Sequence, residues 1–318
     1  MRDNILYFVI PCYNEEAVLV DTAKVVYEKT VKLIEQKKIS EKSRIVFVND
    51  GSKDATWEII KKLHEGKEIF AGINLSRNRG HQNALLAGLL TVKDDADMVV
   101  SMDADLQDDI NAVDEMIEKY HDGCDIVYGV RSKRETDTFF KRFTAESFYK
   151  VMNMLGANTI YNHADFRLMS KRALNELAGY SEVNLFLRGI IPMIGFKTDV
   201  VYYERGERLA GESKYPLKKM LSFSIEGITS LSVKPLSMIT YLGIGVFLIS
   251  IIMLLYSVIQ FFRGVTVAGW ASIIVSIWAI GGLILLAIGI TGAYIGKIYL
   301  ETKGRPRFII DEYLNNNK

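Results

Sequence analysis

The stretch Met98-Val99-Val100-Ser101-Met102-Asp103-Ala104-Asp105-Leu106-Gln107 decides how this chain is read. A nearly continuous apolar run is the mark of a strand buried on both faces, and here polarity switches at Asp103 without a linker. Two carboxylates two positions apart, where the chain leaves extended geometry, can converge on one hard cation, with Gln107 adding a neutral oxygen. Spacing alone leaves a second reading equally open, a solvated acidic turn that leads into a helix. Asp108 and Asp109 are expected to begin that helix, over 110–120, where acidic groups favour the N-terminal dipole.

The same unit recurs on either side. Apolar runs at 6–10, 44–48 and 69–75 each precede a helical pattern, at 16–36, 55–64 and 83–92, and 126–129 is a further strand candidate. Such alternation predicts an α/β fold on a parallel sheet covered on both faces. Ligands of open parallel sheets bind beyond the carboxyl ends of the strands. Polar residues collect at four of those ends: Pro11-Cys12-Tyr13-Asn14-Glu15-Glu16, Asn49-Asp50-Gly51-Ser52, Ser76-Arg77-Asn78-Arg79-Gly80 and Asp103-Ala104-Asp105. Any one of them is an ordinary loop rich in turn and capping residues. Four at one edge predict a binding site.

The last third of the chain is different. No charge occurs over 236–262, nor over 264–296, and Arg263 alone separates the two stretches. About 20 helical residues cross a hydrocarbon core of ~30 Å, so two transmembrane helices are predicted. The run 6–10 is too short for a signal peptide and is interrupted by Pro11, Glu15 and Glu16, so residues 1–234 are expected in the cytoplasm. Lys214, Lys218, Lys219 and Lys234 before the hairpin, and Lys297, Lys303, Arg305 and Arg307 after it, put both ends there. The expectation is a multi-pass inner (plasma) membrane protein. Leu217, Met220, Leu221, Ile225 and Ile228 recur at helical spacing and predict an interfacial helix on the bilayer. The expected divisions are 1–212, catalytic; 213–234, juxtamembrane; 235–297, transmembrane hairpin; and 298–318, cytoplasmic tail. Gly281, Gly282, Gly289 and Gly292 would let spans pack closely in a homo-oligomer.

A net charge of +1 over 318 residues supplies no basic field for nucleic acid. Cys12 and Cys124 lack metal-ligand spacing and are expected as small buried apolar groups, reduced in a cytoplasmic setting.

Taken in order, the soluble motifs resemble the nucleotide-sugar transferases of glycosyltransferase family 2, in the branch like dolichyl-phosphate mannose synthase. The resemblance rests on Pro11 to Glu16, Val48-Asn49-Asp50-Gly51-Ser52-Lys53-Asp54, Leu75-Ser76-Arg77-Asn78-Arg79-Gly80-His81 and Asp103 to Asp108. The two spans and Lys303-Gly304-Arg305-Pro306-Arg307 are similar to bacterial polyprenyl-phosphate glycosyltransferases of that branch. One departure is Asn49, where many relatives carry Asp.

The resemblance implies a GT-A fold in which Pro11, Tyr13, Glu15 and Asp50 hold the uridine or guanosine of the donor. Carboxylates accept hydrogen bonds from ribose hydroxyls and base N–H groups, which suits Glu15 and Asp50. Arg77 is placed near the nucleotide, with a loop salt bridge as its alternative. Asp103, Asp105 and Gln107 would hold Mg2+ or Mn2+ and the diphosphate. Arg131 would meet the acceptor phosphate, since guanidinium donates bidentate bonds and stays charged. Asp165, in His163-Ala164-Asp165-Phe166-Arg167-Leu168, would accept a sugar hydroxyl, act as a base or cap a helix. Arg205, Arg208, Ser213 and Lys214 fall in a loop that closes over the substrates, although attraction to anionic lipid also accounts for Lys214.

The implied reaction is an inverting transfer of one sugar from a nucleotide-diphosphate sugar, UDP-glucose or a UDP-N-acetylhexosamine, to undecaprenyl phosphate. The product would be a lipid-linked sugar for the cell envelope, taken on by a flippase or a downstream transferase. A phosphate monoester is largely dianionic near pH 7, with its second pKa at about 6, so a base matters little. Two alternatives are a processive polysaccharide synthase and a non-catalytic membrane scaffold or flippase partner. Leu185-Phe186-Leu187-Arg188-Gly189 lacks the Gln and Trp of the synthase motif Gln-x-x-Arg-Trp, and the intact Asp50, Asp103, Asp105 and Gln107 argue against the scaffold.

Overall fold

A computed structural model describes residues 3–132, 163–183, 185–204, 232–264 and 269–315. Among them, 3–132, 163–183, 185–204 and 305–315 form one compact unit, and 232–264 with 269–304 form a second.

The first unit is built on an eight-stranded sheet. Its first half alternates strand and helix: β1 (Leu6–Cys12), α1 (Leu19–Glu35), β2 (Arg44–Asn49), α2 (Thr56–Gly66), β3 (Phe70–Leu75), α3 (His81–Val92), β4 (Met98–Ser101), α4 (Ala112–His121) and β5 (Ile126–Arg131). β6 (His163–Ser170), α5 (Lys171–Ala178), α6 (Leu187–Met193), β7 (Thr198–Tyr203) and β8 (Ile310–Leu314) complete it. The spatial order is β7-β5-β6-β4-β1-β2-β3-β8. Every residue of β1 and β4 is buried, as their apolar sequences require. One core cluster packs on each face of the sheet, one around Phe8, Phe47 and Met116 and the other around Val9, Leu86 and Tyr128. α3 lies so close to the sheet that a Cβ on Gly88 would stand 2.4 Å from Val9 Cγ1. Both cysteines are buried free thiols.

The sheet is parallel through β3, β2, β1 and β4, but it is not parallel throughout. β6 runs antiparallel between β4 and β5, with Ser101 opposite Arg167, and β8 runs antiparallel along β3, with Leu75 opposite Ile310. The reversal of β6 brings its first residues to the carboxyl end of β4, and the reversal of β8 does the same at β3. The segment expected as a separate tail is therefore divided. Helix runs on to Lys303, past the expected boundary at 297, and residues after it cover the edge of β3 that would otherwise present unpaired backbone. Ser76 N–H donates to the Ile309 carbonyl at 3.0 Å, and the Arg307 guanidinium donates to the Tyr180 carbonyl at 2.9 Å.

The second unit holds α7 (Lys234–Phe262) and α8 (Trp270–Lys303), both long and apolar enough to cross a membrane. Ile252, Leu285 and Ile288 are each more than half exposed, an arrangement suited to a lipid solvent. The Tyr294 hydroxyl donates to the Ser232 carbonyl at 2.6 Å. The expected interfacial helix over 213–234 lies almost wholly outside the described residues.

Gly51, in the β2–α2 turn, has a φ of +63°, and a Cβ there would stand 2.5 Å from the Asn78 nitrogen and 2.6 Å from the Arg77 carbonyl carbon. Backbone cannot yield as a flexible side chain does. Gly51→Ala is expected to lower the thermal midpoint of the purified protein, the left-handed conformation alone costing about 1–2 kcal/mol. A midpoint equal to that of the wild type would contradict the close approach of these two loops.

Candidate active site

The polar ends of β1 and β2 are tied to each other. Asn14, in the left-handed region at φ 54°, accepts from Lys53 N–H through Oδ1 at 2.9 Å and donates its own N–H to Ser52 Oγ at 3.0 Å. Glu15 N–H donates to Thr56 Oγ1 at 2.9 Å. Glu16 and Asp54 cap each other's loops: Ala55 N–H donates to Glu16 Oε2 at 2.9 Å and Glu16 N–H to Asp54 Oδ2 at 3.2 Å. Much of the polarity quoted from these loops thus holds them in register. Pro11 and Cys12 are the buried end of β1, so Tyr13, 41% exposed, is the first loop residue to reach solvent.

Asp50 is buried, and both its oxygens are engaged, accepting from Arg79 N–H at 2.7 Å and Gly80 N–H at 2.9 Å. Burial pushes its carboxyl up, against the pull of those two N–H groups. Asp50 therefore fixes the β3–α3 loop, which carries the exposed Arg77. Any bond from Asp50 to a nucleotide would be an addition to this structural task.

At the end of β4 the antiparallel strand makes the site. Ser101 Oγ donates to the Asp165 carbonyl at 2.6 Å, which seats the start of β6 beside Asp103. His81, the first residue of α3, reaches both carboxylates, its Nε2 lying 3.4 Å from Asp103 Oδ1 and 3.6 Å from Asp165 Oδ2. Asp165 is buried and pairs with Arg167 through Oδ1 and with Arg188 at 3.0 Å through Oδ2. Burial alone would raise the Asp165 carboxyl, but His81, Arg188 and Arg167 outweigh it and hold it well below the usual carboxylate range. Burial acts to lower His81, but Asp165 and Asp103 overcome it and leave the imidazole raised.

Asp165 thus sits in a strand and not at a helix cap, and a carboxylate held this firmly is a poor base. It is better described as the anion that orients Arg188 and His81, each with a side chain 44% exposed. The sequence reading missed His81 in this capacity, although it stands in a quoted motif. It also weighed Arg188 only against the synthase motif.

Asp108 is a second correction. Helix α4 begins at Ala112, and Asp108 is buried away from its N-terminus, accepting from the Tyr203 hydroxyl at 2.5 Å. Arg131, at the end of β5, lies 3.5 Å from the same oxygen and donates through Nε to the Tyr203 oxygen at 3.4 Å. Tyr203 is held edge-on against Phe166. The guanidinium of Arg131 is thereby anchored beside the acidic edge, which further raises its pKa against burial.

Burial raises Asp103, and Asp165, Asp108 and Asp105 push it further up against the pull of His81. Crowded carboxylates of this kind are relieved by a hard cation. Asp103 and Asp105 carry the hard oxygens that divalent cations prefer, and Gln107 N–H donates to Asp105 Oδ1 at 3.3 Å. Among the described residues no three His, Cys, Asp or Glu form a complete metal site. Arg205, Arg208, Ser213 and Lys214 lie outside the described residues.

The pattern of Glycosyl transferase family 2 matches residues 7–178, which contain every strand-end loop described above. A Bacillus subtilis (strain 168) protein named uncharacterized glycosyltransferase YkoT is 54% identical over 99% of this chain and 93% of its own length. The bactoprenol glucosyl transferase of Shigella phage SfX is 43% identical over 95% of this chain and 97% of its own. Among solved structures, a Pyrobaculum calidifontis mannosyltransferase covers 71% of this chain and 63% of its own at 17% identity and a TM-score of 0.49, too loose a likeness to bear on the reaction. The strand-end loops, the acidic edge and the family match agree: the chain belongs to glycosyl transferase family 2 and is a glycosyltransferase built on a GT-A sheet.

Proposed function

We propose that this enzyme transfers one sugar from a nucleotide-diphosphate sugar, UDP-glucose or a UDP-N-acetylhexosamine, to undecaprenyl phosphate, with inversion, at the cytoplasmic face of the membrane. The observation that carries the proposal is the meeting, at one sheet edge, of the acidic pair Asp103 and Asp105 with the anchored cations Arg131 and Arg188. Such an edge can receive two phosphates, one on each substrate. The name of the phage relative, and its match through the apolar hairpin, support a polyprenyl phosphate as acceptor.

Tyr13, Glu15 and Asp50, with Pro11 beneath them, form the side of the edge given to the nucleoside, and Arg77 stands next to it. Mg2+ or Mn2+, held by Asp103, Asp105 and Gln107, would neutralise the diphosphate as it leaves. Arg131 fixes the acceptor phosphate, whose oxygen attacks the anomeric carbon while the bond to the diphosphate breaks. The attacking oxygen is already anionic near neutral pH, which agrees with a depressed Asp165 that takes no proton. Positioning and stabilisation of the leaving group then supply the rate. Arg205, Arg208, Ser213 and Lys214 are proposed as further phosphate contacts, and a flippase or downstream transferase as recipient of the product.

Membranes carrying the enzyme, incubated with radiolabelled nucleotide sugars, undecaprenyl phosphate and Mg2+ or Mn2+, should move label into the lipid phase. Label absent from lipid with every donor would sink the proposal. Asp105→Ala is expected to slow transfer by about 10²-fold or more while membrane insertion persists, and a chelator should act likewise on the wild type. Arg131→Ala is expected to raise the KM for the lipid phosphate by about tenfold, the loss of a charged hydrogen bond, with the donor KM little changed. An unaltered acceptor response would assign Arg131 to structure alone.

A further inference from the structure

The strand that follows the membrane hairpin is joined to the first nucleotide loop by side chains as well as by backbone. Antiparallel β8 brings Asp311 to the carboxyl end of β3, beside a register shift between Asn74 and Leu75. Asp311 Oδ2 accepts from Asn74 Nδ2 at 3.3 Å, and Asn74 Oδ1 accepts from Asn49 Nδ2 at 2.7 Å. Asn49 Oδ1 in turn accepts from Ser52 N–H at 3.2 Å, and Ser52 Oγ accepts from Asn14 N–H at 3.0 Å. Asn14 lies between Tyr13 and Glu15, so the series ends within the nucleotide loop.

The two side-chain amides in this series point the same way, and Asp311 sets their direction. An ionised carboxylate only accepts, so it holds Asn74 with its amide nitrogen outward and its oxygen toward Asn49. Position 49 must then donate. An amide does so, whereas a carboxylate there would set two acceptors against one amide nitrogen. The buried Asn49 fits this requirement.

We infer that Asn74 and Asp311 are positioning residues for the donor, and that the strand after the hairpin is in this way part of the nucleotide site. The inference rests on the nucleoside placement proposed above. A loop ordered before binding spares the donor the cost of ordering it, so loss of the series weakens nucleotide affinity first.

The test uses the full-length enzyme and measures affinity for UDP with Mn2+, the KM for each substrate, and the thermal midpoint. Asn49→Asp is expected to weaken UDP binding and raise the donor KM by about fivefold, the worth of one net hydrogen bond, with the acceptor KM and midpoint held. Asp311→Asn alone is expected to weaken UDP binding less than Asn49→Asp does, because it keeps a side-chain oxygen that accepts from Asn74 but no longer excludes the reversed amide. Combining the two restores affinity, since Asn74 can turn over, donate to the carboxylate introduced at position 49 and accept from the amide introduced at position 311. An Asn49→Asp enzyme with unchanged UDP affinity, a double variant no better than the single, or a loss matched by a fall in midpoint would each overturn the inference. A wild type that binds UDP but transfers no sugar to lipid refutes the acceptor proposal alone, and the UDP comparison still decides this one. GDP serves as the second probe, and binding of neither nucleotide overturns both.

Discussion

The direction in which each strand runs is the constraint on which this site depends. Four parallel strands deliver four carboxyl ends to one edge, as any doubly covered sheet would. What adds paired cations to that acidic edge is the reversal of β6. The antiparallel β6 brings Asp165 and Arg167 to the end of β4, where Asp165 pairs with Arg188 and shares His81 with Asp103. The same reversal in β8 brings Asp311 to Asn74. Two elements that oppose the rest of the sheet therefore supply its charge balance and its second support.

Electrostatics at the edge follow from this arrangement. Asp103 is pushed up by burial and by its acidic neighbours, whereas Asp165 is held down by three cationic groups, although the two carboxylates share His81. One is suited to a cation that arrives with substrate; the other is a fixed counterion. Buried charge at this edge is paired, Asp165 with Arg167 and Arg188 and Asp108 with Arg131, although Arg167 Nε and Nη1 and Asp108 Oδ2 have no hydrogen-bond partner among the described residues.

The parallel half of the fold was legible because its strands are buried on both faces and their sequences are apolar without alternation. Strands such as β1 and β4 are visible in the chain itself, and their polar ends mark the edge. The two long apolar helices were legible for a related reason, each an uncharged run of helical length. β6 and β8 were not, because pairing direction depends on partners distant in sequence. His163 to Leu168 alternates polar and apolar residues and 310–314 sets Asp311 and Glu312 between Ile310 and Tyr313, so each admits a short strand, but neither shows its partner or the direction of pairing. The role of His81 is hidden in the sequence because its partners Asp103 and Asp165 meet only through that pairing. Asp108 was misplaced because its neighbours in sequence suggest a helix start, while its burial is fixed by Tyr203 from 95 residues away.

The central claim is that Asp103 and Asp105 are half of a cation site that the donor diphosphate completes. Mn2+ binding to the full-length protein, followed by electron paramagnetic resonance with and without UDP, tests it most directly. The account predicts weak binding by the protein alone, clear binding when UDP is present, and loss of the UDP-dependent signal in Asp105→Ala. Tight binding without UDP, or an undiminished signal in Asp105→Ala, would contradict it.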